Sequence, residues 1–320
     1  MAFEKLKERF PKIRENEPLK NHCTFRVGGP ADFFYELTNI EELPTLVIFA
    51  EENGLTYRII GRGTNVLFTD KGFRGLIIKN LTNQMKVEGD QIIADSGVLL
   101  SQIIRLGVDN NLRGLEPLYG LPGTIGAAVW GNAGVPGTEV GSFVISATLF
   151  NPSDGVREAP ASEIIFRYRF TSLQQSHDYV LRATLELKKG SGKESKELMK
   201  QIDSIRRGKQ PVGYSAGSFF KNPSPRPSLS EAKQILPAYR PGRRPQDASD
   251  QAAGYLIDKV GLKGMHLGDA EISPKHGNFF MNRGQATAAQ ILELAELAKA
   301  KVKKEFGVEL EMEVKIIGDL

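Results

Sequence analysis

The chain has 320 residues, 40% apolar and 25% charged, which is ordinary for a soluble globular protein and long enough for two or three domains. Its net charge of +4 is too small to argue for nucleic acid, and it fits a protein with a locally basic pocket for an anionic ligand. A single cysteine, Cys23, excludes an intrachain disulfide and a cysteine-based zinc site, and the charged start and short apolar runs lead us to expect a cytoplasmic protein without signal peptide or membrane span.

Phe3, Leu6 and Phe10 predict a short amphipathic helix over residues 2–10. His22–Asp32 reads as a strand running into the Gly28-Gly29-Pro30 turn. Leu43, Leu46, Val47 and Ala50 predict a helix over Glu41–Asn53, with Gly54 as its stop signal. A buried strand at Tyr57–Ile60 delivers Gly61-Arg62-Gly63-Thr64-Asn65, and a further apolar run follows at Gly75–Ile78. This β-α-β alternation indicates a small α/β unit. The third glycine of a dinucleotide fingerprint is missing, since position 66 is Val, so a Rossmann site is not expected. The glycine turn is then either an ordinary turn or a nest that points backbone N–H groups at a phosphate.

A second unit runs from about Gln91 to Lys189, with a strand at Gln91–Ala94 and a helix at Leu99–Asn110 that turns Ile103, Ile104 and Leu106 inward. The glycine-rich run from Gly120 to Gly134 carries Ile125, Val129 and Trp130, which argues against a floppy linker. Its Gly123-Thr124 opens a short helix whose free N–H groups suit an anion. Two glycine-rich turns in neighbouring units point to one extended ligand with a diphosphate at its middle. Strands at Phe143–Phe150 and Tyr179–Lys188 complete the unit; in the latter Leu181, Ala183, Leu185 and Leu187 share a buried face. In Phe166-Arg167-Tyr168-Arg169-Phe170 an Arg among aromatics either clamps a carboxylate or covers a ring at the surface.

Leu198, Ile202 and Ile205 predict a helix ending near Lys209, with a basic last turn that either complements the helix dipole or meets a phosphate. Next comes Ser215-Ala216-Gly217-Ser218-Phe219-Phe220-Lys221-Asn222-Pro223, a proton-carrying hydroxyl beside an ammonium and an amide. Prolines interleaved with arginines over Asn222–Gln251 read as a mobile loop or lid. Helix resumes at Ala252–Val260. His276 has no His or Cys companion at ligand spacing, so no metal is expected. The clearest helix is Thr287–Phe306, with Ile291, Leu294, Ala298 and Val302 on one face. A terminal strand, Val308–Ile317, sets Glu309, Glu311 and Glu313 on one face, either solvated or with one of them projecting into a site.

Eight motifs in order carry a resemblance over residues 20–318: Thr24-Phe25-Arg26-Val27-Gly28-Gly29-Pro30-Ala31, Gly61-x-Gly63-x-Asn65, Gly120-Leu121-Pro122-Gly123-Thr124-Ile125-Gly126-Ala127, Asn132-Ala133-Gly134, Tyr168-Arg169, Gly217 to Pro223, Lys275-His276-x-Asn278-Phe279 and Leu310-Glu311-x-Glu313-Val314. The chain resembles the UDP-N-acetylenolpyruvoylglucosamine reductase family, FAD enzymes that make UDP-N-acetylmuramate for bacterial peptidoglycan. The resemblance implies an α+β / α/β fold: a two-lobed FAD-binding module of the vanillyl-alcohol-oxidase (PCMH) type plus a C-terminal α/β substrate domain. Lobe 1 would span 15–80, lobe 2 81–200 and the substrate domain 201–313, with a Pro/Arg-rich insertion at about 223–251 and a terminal strand, 314–320, joined to lobe 1. No insertion is evident between Phe170 and Tyr179, which places the chain with the family's shorter type, lacking the tyrosine-bearing substrate loop.

Carried over by position, the resemblance makes Ser218 the general acid and Arg169 and Glu313 the other essential polar residues. It assigns non-covalent FAD to Gly61, Arg62, Gly63, Thr64, Asn65, Gly120, Pro122, Gly123, Thr124, Gly126, Ala127 and Asn132, and substrate contacts to Lys209, Lys221 and Asn222. NADPH would reduce FAD, and the enolpyruvyl sugar nucleotide would then replace NADP+. Hydride would pass from flavin N5 to the vinyl C3, with Arg169 and a protonated Glu313 stabilising the enolate and Ser218 protonating C2. The implied partners are these two small molecules, with a monomeric enzyme binding neither nucleic acid nor membrane. The insertion, Tyr255 in place of a common Lys, and Val135-Pro136 after Asn-Ala-Gly depart from the family pattern.

Overall fold

Apolar residues at helical spacing open the chain, and the computed structural model, which describes residues 2–223 and 252–319, answers with α1 (Ala2–Arg9). The helix buries Leu6 and leads Phe10 into edge-to-face contact with Tyr35 and Phe49, at 5.8 and 5.7 Å between ring centroids. After β1 (Arg14–Pro18) comes a 3-10 turn at Leu19–His22, and β2 (Pro30–Leu37) starts only after the Gly-Gly pair. The strand expected across His22–Asp32 is thereby corrected. Arg26 and Gly28 take φ values of 56° and 130°, which no regular strand accommodates. The α2 helix (Glu42–Glu52) buries the four apolar residues named from its sequence. It ends in a Schellman cap, with Gly54 N–H on Glu51 O at 3.0 Å and Leu55 N–H on Ala50 O at 2.8 Å. There follow β3 (Tyr57–Ile60), β4 (Val66–Phe68) and β5 (Phe73–Asn80). β3 and β5 pair in parallel in a sheet ordered β1-β2-β5-β3, the β-α-β unit that the alternation predicts.

The next stretch builds a sheet of a different kind. β6 (Met85–Glu88) and β7 (Gln91–Asp95) precede α3 (Leu100–Asp109) and α4 (Ile125–Trp130), and β8 (Val144–Asn151), β9 (Gly155–Pro160) and β10 (Tyr179–Glu186) follow. All five strands are antiparallel, in the order β9-β8-β10-β7-β6. Leu181, Ala183, Leu185 and Leu187 are all buried, as the alternation predicts. The helices close over Ala183, Leu185 and Leu187 through Ile103, Ile104, Ile125 and Val129, while Leu181 belongs to the core that Leu43, Leu46 and Phe150 build. In α5 (Gly192–Lys209) the inward face differs from the expected one: Ser195 and Met199 are buried and Leu198 is exposed. The Ser195 hydroxyl donates to the buried Glu116 carboxylate, and that bond fixes which face turns in.

By its contacts the chain forms two compact units. The first holds Met1–Glu15, Phe33–Arg62 and Gly75–Ser204; the second holds Asn16–Asp32, Gly63–Arg74 and Ile205–Leu320. In the second unit α6 (Ala253–Lys259) precedes a small antiparallel sheet containing β11 (Ala270–Ile272) and β12 (Phe280–Asn282). The α7 helix (Ala288–Phe306) buries Ile291, Leu294, Ala298 and Val302. Thr287 caps it in a reciprocal box with Gln290, and the Asp70 carboxylate takes the N–H groups of Ala288 and Ala289 at 2.8 and 3.0 Å. The terminal strand is shorter than expected: only β13 (Lys315–Ile317) is regular, paired in parallel with β4. Residues 310–314 keep the alternation yet pair irregularly, with a lone bridge from Met312 to Phe220. The expected mobile loop or lid lies, past Pro223, outside the described residues. No helix among the described residues is long and apolar enough to cross a membrane.

Tyr35 gives the first unit a pH signature. Its hydroxyl donates to Glu42 Oε2 at 2.8 Å, and burial followed by that carboxylate pushes its pKa up to about 12. An unfolded tyrosine ionises near pH 10, so above that the unfolded state releases a proton the folded state keeps. Stability is therefore complete below about pH 10 and falls as pH rises towards 12, by ~2–3 kcal/mol from this group. Urea midpoints measured between these pH values should fall less steeply in Tyr35→Phe than in the native chain. Equal slopes would remove Tyr35 from the effect. Tyr57 and Tyr179, also raised mainly by burial, keep part of the slope in the variant.

Candidate active site

In the first unit the two glycine-rich turns meet. Residues 123–126 zip against 96–99: Ile125 N–H reaches Val98 O at 2.8 Å, Gly126 N–H reaches Ser96 O at 2.9 Å, and Leu100 N–H reaches Gly123 O at 3.0 Å. A Cβ at Gly126 would lie 2.5 Å from Ser96 Cβ, so only glycine permits this approach. At the end of β3, a Cβ at Gly61 would lie 2.7 Å from Thr124 Oγ1. Thr124 itself is buried and caps α4, while Gly120, Pro122 and Ala127 are exposed. Beside Gly61, Arg62 Nε is buried with no hydrogen-bond partner among the described residues. Close backbone turns beside a buried guanidinium N–H that meets no acceptor among the described residues fit an anionic dinucleotide.

Arg169 lies in the same unit, on the tight turn of a hairpin that pairs Phe166 with Thr171 and Arg167 with Phe170. Its φ of 54° is left-handed, a costly conformation for a residue with a Cβ. Several bonds hold the turn in place. Arg169 Nη2 donates to Gly134 O at 3.0 Å, and its guanidinium lies 5.4 Å from the Tyr168 ring centroid. Thr171 Oγ1 and Gln174 Nε2 both donate to Trp130 O, at 2.7 and 3.0 Å. Asn132, 1% exposed, donates from Nδ2 to Glu139 Oε2 and Arg167 O at 2.8 and 2.9 Å, and its Oδ1 accepts Gly141 N–H at 3.1 Å. The amide of Asn132 thus binds protein groups that tie the glycine-rich run to the Arg169 hairpin.

In the second unit Ser218 and Glu313 are held through one residue. Phe219 donates its N–H to Asn278 O at 2.8 Å, and its carbonyl accepts the Glu313 N–H at 2.8 Å. The Phe219 and Phe220 rings are fully buried, and Phe219 packs 4.5 Å from Phe280 between centroids. This apolar anchor leaves the half-buried Ser218 and Glu313 side chains on adjoining segments. Glu313 O also accepts from Asn65 Nδ2 at 3.2 Å, and Asn65 O accepts Lys315 N–H at 3.0 Å. The last residues of the 61–65 turn, Gly63 to Asn65, thereby reach the terminal segment.

Of the expected substrate contacts, Lys221 pairs with Glu311 Oε1 at 2.5 Å and is only 18% exposed. Desolvation, and then the Lys221 charge, hold Lys315 below the ordinary lysine pKa. Asn222 Oδ1 accepts the Ala253 N–H at 3.1 Å. Lys209 is exposed at the end of α5, whose last carbonyls are held instead by Lys275: its Nζ donates to Arg207 O at 3.1 Å and Gln210 O at 2.7 Å. Three supports carried no role in the sequence reading: Ser96, Gln174 and Asn278. Asn278 stood inside a recognised motif, which was the one available signal; the partners of all three depend on tertiary pairing.

Comparison with known proteins gives matches along most of the chain. Residues 31–159 match the model described as FAD binding domain, and residues 210–317 match that of the UDP-N-acetylenolpyruvoylglucosamine reductase C-terminal domain. A UDP-N-acetylenolpyruvoylglucosamine reductase from Clostridium novyi is 37% identical over 309 residues, covering 96% of this chain and 92% of its own. One from Caldanaerobacter subterraneus is 37% identical over 324 residues, covering 100% and 99%. The crystal structure of the Thermus caldophilus UDP-N-acetylenolpyruvylglucosamine reductase superposes with a TM-score of 0.74 at 31% identity, over 95% of this chain and 98% of that one. Fold and matches together define an FAD-dependent oxidoreductase. More closely, the chain belongs to the UDP-N-acetylenolpyruvoylglucosamine reductase family.

Proposed function

We propose that this enzyme reduces UDP-N-acetylglucosamine enolpyruvate to UDP-N-acetylmuramate with NADPH as reductant, a step of peptidoglycan precursor synthesis in the cytoplasm. The observation that carries this reading is the shared tether of Ser218 and Glu313 through Phe219, which sets a hydroxyl and a carboxyl on adjoining segments. FAD, when bound, supplies the hydride chemistry. Gly61 to Asn65, Gly120, Pro122, Gly123, Thr124, Gly126 and Ala127 would hold it without a covalent bond, the Arg62 Nε–H taking one of its anionic oxygens. Asn132 would act there by keeping the glycine-rich run in register.

Hydride arriving at the vinyl C3 of the substrate leaves negative charge on C2 and the adjoining carboxylate. Arg169 stabilises that charge, with Glu313 assisting. Ser218 then delivers a proton to C2; a hydroxyl is a weak acid, but an enolate is a strong enough base when the geometry is fixed. Lys209, Lys221 and Asn222 would contact the sugar nucleotide. We also propose the division into FAD lobes at 15–80 and 81–200 and a substrate domain at 201–313. The pairing of β13 with β4 supports the return of the terminal strand to the first lobe. The enzyme acts as a monomer, with no nucleic-acid or membrane partner.

Absorbance and turnover test the reading. The purified protein should be yellow, release its flavin on acid denaturation, and oxidise NADPH rapidly only when the enolpyruvyl sugar nucleotide is present. A colourless protein that FAD cannot reconstitute, or a flavin that stays attached after denaturation, would count against it.

A further inference from the structure

The segment that carries Ser218 is gripped by a single buried amide. Asn278, 3% exposed, accepts the Phe220 N–H on Oδ1 at 2.9 Å and donates from Nδ2 to the Phe220 carbonyl at 2.8 Å. Its own carbonyl takes the Phe219 N–H at 2.8 Å, and the neighbouring Phe279 bridges to Ser218. A side-chain amide that serves both the N–H and the C=O of one residue does what a partner strand's backbone would do. A regular partner is not available there, because the chain turns at 276–279, with Phe279 N–H on His276 O at 2.9 Å. Across the segment, Glu311 and Glu313 complete the pairing through Lys221 and Phe219. Ser218 therefore stands two residues from a reciprocal clamp that sets both its advance along the chain and the direction of its side chain.

We infer that Asn278 is the positioning residue for Ser218: by clamping Phe220 it aims the Ser218 hydroxyl, and so it governs the proton-transfer step alone. This rests on the reading of Ser218 as the proton donor. With the clamp gone, the buried N–H and C=O of Phe220 lose their partners and the segment shifts to find others. A displacement of about 1 Å at a reacting group costs on the order of 10²-fold in rate.

The test uses the flavin-loaded enzyme in its two half-reactions, together with Ser218→Ala, Asn278→Ala and the double variant. In Asn278→Ala, reoxidation by the enolpyruvyl sugar nucleotide should slow about 10–100-fold while reduction by NADPH changes little. Amides of residues 219–221 should lose hydrogen-exchange protection with or without flavin. On the Ser218→Ala background, adding Asn278→Ala should cost almost nothing more. An equal slowing of both half-reactions, or a full further loss in the double variant, would show a general structural role and overturn the inference. Normal turnover in Ser218→Ala would overturn the reading of Ser218 and this inference with it. Should Asn278→Ala not fold, Asn278→Asp serves: its carboxylate can accept from Phe220 N–H but cannot donate. Its reoxidation rate should then recover as falling pH protonates it, and a rate that stays flat or falls with acid overturns the proposal.

Discussion

In Ser218→Ala the flavin should still be reduced by NADPH, while turnover of the enolpyruvyl sugar nucleotide falls by about 10²–10⁴-fold, the usual loss for a removed proton donor. Stopped-flow absorbance separates the two phases. The variant should fold normally, because the adjoining segment is fixed by Phe219, Phe220 and their partners rather than by the hydroxyl. A Ser218→Ala enzyme that turns over at the native rate would remove Ser218 from the acid role. A variant that cannot be reduced either would assign the residue to cofactor binding instead.

The second large effect is expected at Arg169. On the proposed mechanism, Arg169→Gly should slow turnover by about 10²–10³-fold through loss of the guanidinium assigned to stabilise the developing charge. Its effect on folding should be small for a stated reason. Glycine relieves the left-handed strain at φ 54°, worth about 1–2 kcal/mol, and forfeits the bond to Gly134 O, worth about 0.5–1.5 kcal/mol. Urea denaturation should therefore place the variant within about 1 kcal/mol of the native chain. A rate within a few-fold of native would sink the electrostatic role. A loss of stability much beyond that margin would make Arg169 a structural residue.

Local order was legible from the chain wherever burial follows a simple period. The helices α2 and α7, the face of β10 and the stop at Gly54 all follow from spacing and cap chemistry. Three expectations went astray where a long-range polar bond or a backbone special decided the outcome. The Arg26 and Gly28 dihedrals break the strand expected near His22. Glu116 turns Ser195 inward, and a side-chain amide replaces regular pairing beside residues 218–221, against which the terminal segment also pairs irregularly. The family was legible as motifs in order, and the structure brings Gly61 of one glycine turn close to Thr124 of the other. The supports beneath those motifs were not, since Ser96, Gln174 and Asn278 act through partners 30, 44 and 58 positions away.

The bond between Asn222 and Ala253 has a consequence for how this gene can change. Those two residues flank the proline- and arginine-rich stretch of the sequence, and a hydrogen bond of 3.1 Å joins them. Closing a chain segment costs entropy that grows only with the logarithm of its length, about 0.6 kcal/mol for each doubling. Once that bond is formed, residues can accumulate or disappear between its partners at little thermodynamic cost to Ser218 and its neighbours. A change of length between the two residues is thus expected to leave the bond that joins them, and the segment before it, in place.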